Sequence, residues 1–79
     1  MSGPALPAPG GAAFGVVLRN YRLAAKLTQE ALAESAGFST VYVGMLERNE
    51  RHPPLSTVSA LARALGLTAA ESKALSAAA

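Results

Sequence analysis

The 79-residue chain has no cysteine and no aspartate, one histidine and five acidic residues. Without thiols there is neither a disulfide framework nor a thiolate metal site, and His52 with scattered glutamates does not supply zinc-type ligation. No metal and no cofactor is therefore expected. Catalysis lacks its usual parts as well: no two acids are spaced for general acid/base work, and Ser35, Ser39, Ser56, Ser59, Ser72 and Ser76 have no evident base beside them. No strand precedes a glycine-rich phosphate loop. A non-enzymatic protein is expected. No apolar run approaches the roughly 20 residues that span a bilayer, and the amino terminus lacks the basic start and continuous apolar stretch of a signal peptide. These features predict a protein that is cytoplasmic and has no membrane partner.

The length allows one small domain, whose core leaves little room for a large active-site cavity. The formal charge of +2 leans basic and suits a polyanionic partner, but only the placement of the charges gives it meaning.

The chain opens with MSGPALPAPGG, in which prolines and glycines break any helix and few large side chains are available to offset the entropy of ordering. Residues 1–13 are expected to form a flexible tail and residues 14–79 the folded domain. From Phe14 the texture changes to alanine and leucine at helical spacing, predicting a first helix to about Lys26. Thr28 is a good N-cap, with Gln29 and Glu30 in the first turn of a second helix that runs to Ala36. Gly37 offers a positive φ at little cost, and Ser39 can cap a third helix reaching Leu46 and Arg48. Asn49 suits a left-handed stop. Val58, Leu61, Ala62 and Leu65 make the stripe of a fourth helix closed by Gly66, and Thr68 with Glu71 has the capping-box pattern that opens a fifth. Five helices leave no room for a sheet, so the fold class is all-α.

The informative window is TQEALAESAGFSTVYVGMLE, Thr28 to Glu47. Leu32, Ala36, Phe38, Val43 and Leu46 are apolar, Ala33 is small where two helices must approach, and Gly37 follows four residues later as the turn. A larger side chain at 33 would push the third helix away, and a non-glycine at 37 would strain the turn that sets the angle between the helices. Together with LRNYR, LTQEALAESAG, the LER segment, Pro53 and LARALGL, this window resembles the Cro/repressor (XRE-like) helix-turn-helix family, over about Phe14 to Leu67.

The resemblance implies a five-helix, lambda-repressor-like domain that binds double-stranded DNA through the major groove and the phosphate backbone, in a transcriptional regulator, with a repressor the leading reading. In the family the third helix enters the major groove and the start of the second touches backbone. Carried over residue by residue, Gln29 matches a phosphate-contacting glutamine at a helix N-terminus. Thr40, Val41, Gly44 and Met45 fall on the outward positions of the third helix, with Ser39 at its start. Family members often place glutamine, asparagine or arginine there; this sequence does not, so Val41 is matched to a thymine methyl, Thr40 to a base or phosphate, and the remaining discrimination to DNA shape or Tyr42. Tyr42 has two open roles, a phosphate bond or packing across the helix. Arg48 and Arg51, beside His52, form the densest basic cluster, where the family places backbone contacts; an ordinary solvated loop is the alternative. Arg22 and Glu47 match an internal salt bridge of the family, for which the planar guanidinium is well shaped. Arg19 and Lys26 read as a solvated face.

One such domain reads half an operator, so a homodimer is the expected working form. The fifth helix, with Leu67, Leu75 and Ala77 to Ala79, serves either as a dimer surface or to close the domain's own core. The alternative function is a helical module that binds a protein partner, of antitoxin or adaptor type, which accounts better for the apolar recognition positions.

Overall fold

The computed structural model describes residues 13–79 and sets five helices along them: α1 (Phe14–Ala24), α2 (Gln29–Ala36), α3 (Thr40–Glu47), α4 (Leu55–Leu65) and α5 (Ala69–Ala78). No strand occurs among the described residues. The tail expected over residues 1–13 lies outside the described residues except for Ala13, which is the N-cap of α1.

Each helix start has its own chemistry. Thr28 accepts the Ala31 N–H at 3.0 Å to open α2, and Ser39 accepts the Tyr42 N–H at 3.0 Å to open α3. Thr68 and Glu71 close a full capping box at α5, with bonds of 2.9 and 3.1 Å. Such side-chain caps satisfy N–H groups that have no partner in the first turn, at about 1 kcal/mol each. Ala13 has no side chain to cap α1. Asn49, 34 residues away, does it instead: its Oδ1 accepts the Gly15 N–H at 2.8 Å.

The helix ends share one device. Lys26, Gly37, Asn49 and Gly66 all have positive φ, at 60, 82, 61 and 66°. Behind each, the next residue's N–H returns to a carbonyl five residues back: Leu27 to Arg22, Phe38 to Ala33, Glu50 to Met45 and Leu67 to Ala62. This is the paired-bond terminator that absorbs the last free carbonyls of a helix. Gly37, Asn49 and Gly66 stop helices where expected. α1 stops at Ala24 rather than near Lys26, because Lys26 itself adopts the left-handed conformation in which L-residues are strained.

The core takes Phe14 and Leu18 from α1, Leu32 and Ala33 from α2, Val43 and Leu46 from α3, Val58, Leu61 and Ala62 from α4, and Leu75 from α5. α3 packs on α1 and α2, α4 on α2 and α5, and α5 returns to α1. Leu75 is fully buried and Leu67 is half-buried against the cluster, so α5 closes the domain's own core. Ala33 on α2 is almost wholly buried, in a helix that packs on both α3 and α4.

One further approach goes unsignalled by the stripes. A Cβ on Gly15 would lie within 2.6 Å of the Leu46 carbonyl oxygen and would run into the Glu47 carbonyl as well. The start of α1 is therefore seated on the last carbonyls of α3, which favour the positive end of the α1 dipole. Only glycine fits there.

Candidate nucleic-acid interface

α2, the Gly37 turn and α3 form a helix-turn-helix whose internal angle is held by Leu32, Ala33, Val43 and Leu46 beneath it. A polar tie fastens its upper edge. Arg22 Nε donates to Glu47 Oε2 at 2.6 Å and Arg22 Nη2 to Glu47 Oε1 at 3.0 Å, the two parallel bonds of a guanidinium fork on a carboxylate. Arg22 Nη1 donates to the Leu27 carbonyl at 2.8 Å, and Gln29 Nε2 donates to Glu47 Oε1 at 3.0 Å. One carboxylate thus joins α1, the start of α2 and the end of α3.

The pair is nearly dry, with side-chain exposures of 10% for Arg22 and 4% for Glu47. Burial alone would push the Glu47 carboxyl up. The hydrogen bonds from Arg22 and Gln29, with the charges of Arg22 and Arg19, outweigh it and hold the group below the usual carboxylate range. The bond to Glu47 correspondingly keeps Arg22 firmly charged against its own burial.

Gln29 is thereby given a protein partner. One of its two amide hydrogens is bound to Glu47; the other remains available at the N-terminus of α2. At the start of α3, Ser39 accepts the capping bond through its oxygen and keeps its hydroxyl hydrogen free. Thr40 is exposed, Val41 is 65% exposed, and Met45 is half-buried. Arg48 caps the end of α3, and Arg51 is exposed in the following loop with no ion-pair partner among the described residues. Gln29, Ser39, Thr40, Val41, Met45 and Arg48 are thus all carried on the helix-turn-helix unit itself.

Two positions gain detail over the sequence reading. Gly44 is on the outward side of α3 but covered: it is buried beneath Arg48 and Gln29, whose Nη1 and Oε1 lie 3.0 and 3.7 Å from where its Cβ would be. Two long polar side chains close over the gap that a missing side chain leaves. Tyr42 is half-buried, packs edge-on against Phe38 with ring centroids 5.2 Å apart, and brings its hydroxyl to 3.3 Å from Thr57 Oγ1. Packing across the helix surface is seen directly, and the hydroxyl is shared with Thr57 in a bond in which either oxygen can donate. Thr57 is buried on α4 and needs that partner.

Three residues do more than the sequence pattern indicates. Asn49 is a helix stop as its type suggests, and it additionally caps α1 from a distant segment. Gly15 carried no motif; a glycine inside an otherwise helical run was its only mark. Glu50 has no sequence motif, yet it takes the Arg48 fork, with Nε to Oε2 at 2.9 Å and Nη2 to Oε1 at 3.3 Å. The hydrogen bonds from Arg48 hold the Glu50 carboxyl below its usual range. Both groups are more than half exposed, so the pair adds little to stability.

Residues 18–72 match the helix-turn-helix family, and the chain belongs to it as a member of the Cro/repressor (XRE-like) type of DNA-binding domain. Control protein C.SmaI of Serratia marcescens is 48% identical over 48 residues, covering 61% of this chain and 57% of that protein. The immunity repressor protein of Bacillus phage phi105 is 43% identical over 53 residues, covering 67% of this chain and 37% of the repressor. The matched segment therefore spans little more than half of the first relative and just over a third of the second. Among solved structures, the restriction-modification controller protein C.AhdI from Aeromonas hydrophila superposes with a TM-score of 0.70 at 41% identity, over 75% of this chain and 89% of that one. The clp gene regulator ClgR from C. glutamicum superposes with a TM-score of 0.73 at 27% identity, over 92% and 91%.

Proposed function

We propose that this chain is the DNA-reading domain of a transcriptional regulator, acting as a repressor, that lays α3 in the major groove and anchors to phosphate at both ends of the helix-turn-helix. The observation that carries the reading is the Arg22–Glu47–Gln29 tie, which fixes the N-terminus of α2 against the C-terminal end of α3. Free N–H groups of the first α2 turn and the second Gln29 amide hydrogen then point at one phosphate, and Arg48 and Arg51 meet another. Ser39, Thr40, Val41 and Met45 meet the groove: the hydroxyls bond bases or phosphate, and Val41 packs on a thymine methyl. No guanidinium or carboxamide side chain projects from the outward face of α3, so shape and deformability of the site carry much of the discrimination. The names of the relatives, a control protein and an immunity repressor, support the regulatory assignment.

A homodimer on a two-fold site is the proposed working form, because one domain covers half of such a site. The reading includes no catalytic step and places the protein with the DNA in the cytoplasm. No described helix is long and apolar enough to cross a membrane.

The test is fluorescence-anisotropy binding to random duplex DNA over a salt series, repeated with Gln29→Ala and with Arg48→Ala/Arg51→Ala. Affinity that falls steeply with salt, and falls again in both variants, supports the phosphate-contacting surface. The 65% exposure of Val41 favours one competing reading, a docking face for a protein partner. Absence of salt-dependent binding near 50 mM salt would turn the assignment to that reading.

A further inference from the structure

Within the basic segment Arg48–His52 there is a single acid, Glu50, and it faces Arg48 with both oxygens. Its position is set by the backbone. Asn49 is in the left-handed conformation and the Glu50 N–H bonds the Met45 carbonyl at 2.8 Å, so the helix terminator itself delivers the carboxylate to the guanidinium. Arg48 is left with Nη1, which lies over Gly44 beside the Gln29 side chain.

A guanidinium fork that fits a carboxylate fits a phosphate by the same two parallel bonds. Glu50 and a DNA phosphate therefore compete for one group, and the Glu50 charge repels the same phosphate. Both effects act in one direction. We propose that Glu50 limits DNA affinity by holding Arg48 in the free protein as a phosphate would hold it in the complex, trimming the sequence-independent part of binding. Contacts of α3 to bases are untouched by this restraint, which acts on the phosphate contact common to specific and non-specific complexes. Glu50 is a positioning residue that acts through Arg48. The inference rests on the DNA-binding reading above.

The experiment is the salt-series anisotropy measurement on random duplex DNA with the wild-type chain, Glu50→Gln, Arg48→Ala and the double variant. Glu50 and Arg48 are exposed, so all four proteins are expected to fold, with circular dichroism as the check. Glu50→Gln is expected to bind roughly two- to five-fold tighter, the worth of an exposed ion pair released. The slope of log affinity against log salt is expected to steepen by up to about 0.9, one more phosphate neutralised. In the Arg48→Ala background the same substitution should give less than half that gain and leave the slope unchanged.

Equal gains in both backgrounds would reduce Glu50 to a repulsive charge and overturn the inference. So would unchanged or weaker binding of Glu50→Gln, which would make Glu50 an orienting partner of Arg48 or an idle one. These failures are told apart from failure of the DNA-binding reading by the wild-type chain: if it shows no salt-dependent binding, that reading falls and takes this inference with it.

Discussion

The Arg22–Glu47 pair is the place where one substitution reaches stability and the interface together. The two side chains are 10% and 4% exposed, and Glu47 also receives Gln29. Truncating one partner leaves a nearly dry charge without its counter-ion, which costs about 3–5 kcal/mol. A domain of this size has in total roughly 3–10 kcal/mol, at about 0.05–0.15 kcal/mol per residue. Arg22→Ala or Glu47→Ala is therefore expected to bring the domain close to its unfolding threshold. Replacing both by apolar side chains of similar volume, Arg22→Met with Glu47→Leu, removes both desolvation penalties and is expected to cost clearly less than either single truncation. Urea unfolding followed by circular dichroism measures all of these, with a constant m-value as the check that the denatured state is unchanged. Acid gives a second readout. The folded Glu47 carboxyl titrates below its unfolded value of about 4.3, so its contribution is complete above that pH and is lost as pH falls through the folded value. The stability gap between wild type and Glu47→Gln should therefore close as pH falls below about 4. Single truncations costing under about 1 kcal/mol, the scale of a surface pair, would refute the reasoning, as would a double substitution equal to the sum of the singles.

Gly15→Ala gains helix propensity but drives a methyl group into the Leu46 and Glu47 carbonyls, so a net loss of about 1–3 kcal/mol in chemical denaturation is expected, and a stabilised variant would contradict the close approach. Lys26→Gly removes strain from a residue at φ 60° and should stabilise the domain by up to about 1 kcal/mol, partly offset by unfolded-state entropy; a lower melting temperature would count against the terminator described here. Tyr42→Phe deletes the bond to buried Thr57 and should lose about 0.5–1.5 kcal/mol of stability with DNA affinity unchanged, whereas weaker DNA binding at unchanged stability would return Tyr42 to the phosphate.

What could be read from the chain, and what could not, divides along the range of the interactions. Thr28, Ser39 and Thr68 announce helices because a cap is a bond to a group three residues away, and Gly37, Asn49 and Gly66 announce stops because a positive φ is a property of one residue. Lys26 broke the pattern: a lysine carries no preference for the left-handed region, so its type does not announce the stop. Apolar periodicity identified which side of α3 is buried through Val43 and Leu46, but a glycine has no side chain to assign to a side, and Gly44 proved to be covered by two others. Every missed partner is long-range or crosses a helix end: Gly15 with Asn49 across 34 residues, Tyr42 with Thr57 across 15, Gln29 with Glu47 across 18. The Arg22–Glu47 pairing, 25 residues apart, came from family resemblance and not from spacing. A face can be derived from periodicity, since 3.6 residues per turn says which side of a helix a residue occupies. A partner needs the angle and distance between helices, which depend on close approaches such as that of Gly15 to the Leu46 and Glu47 carbonyls.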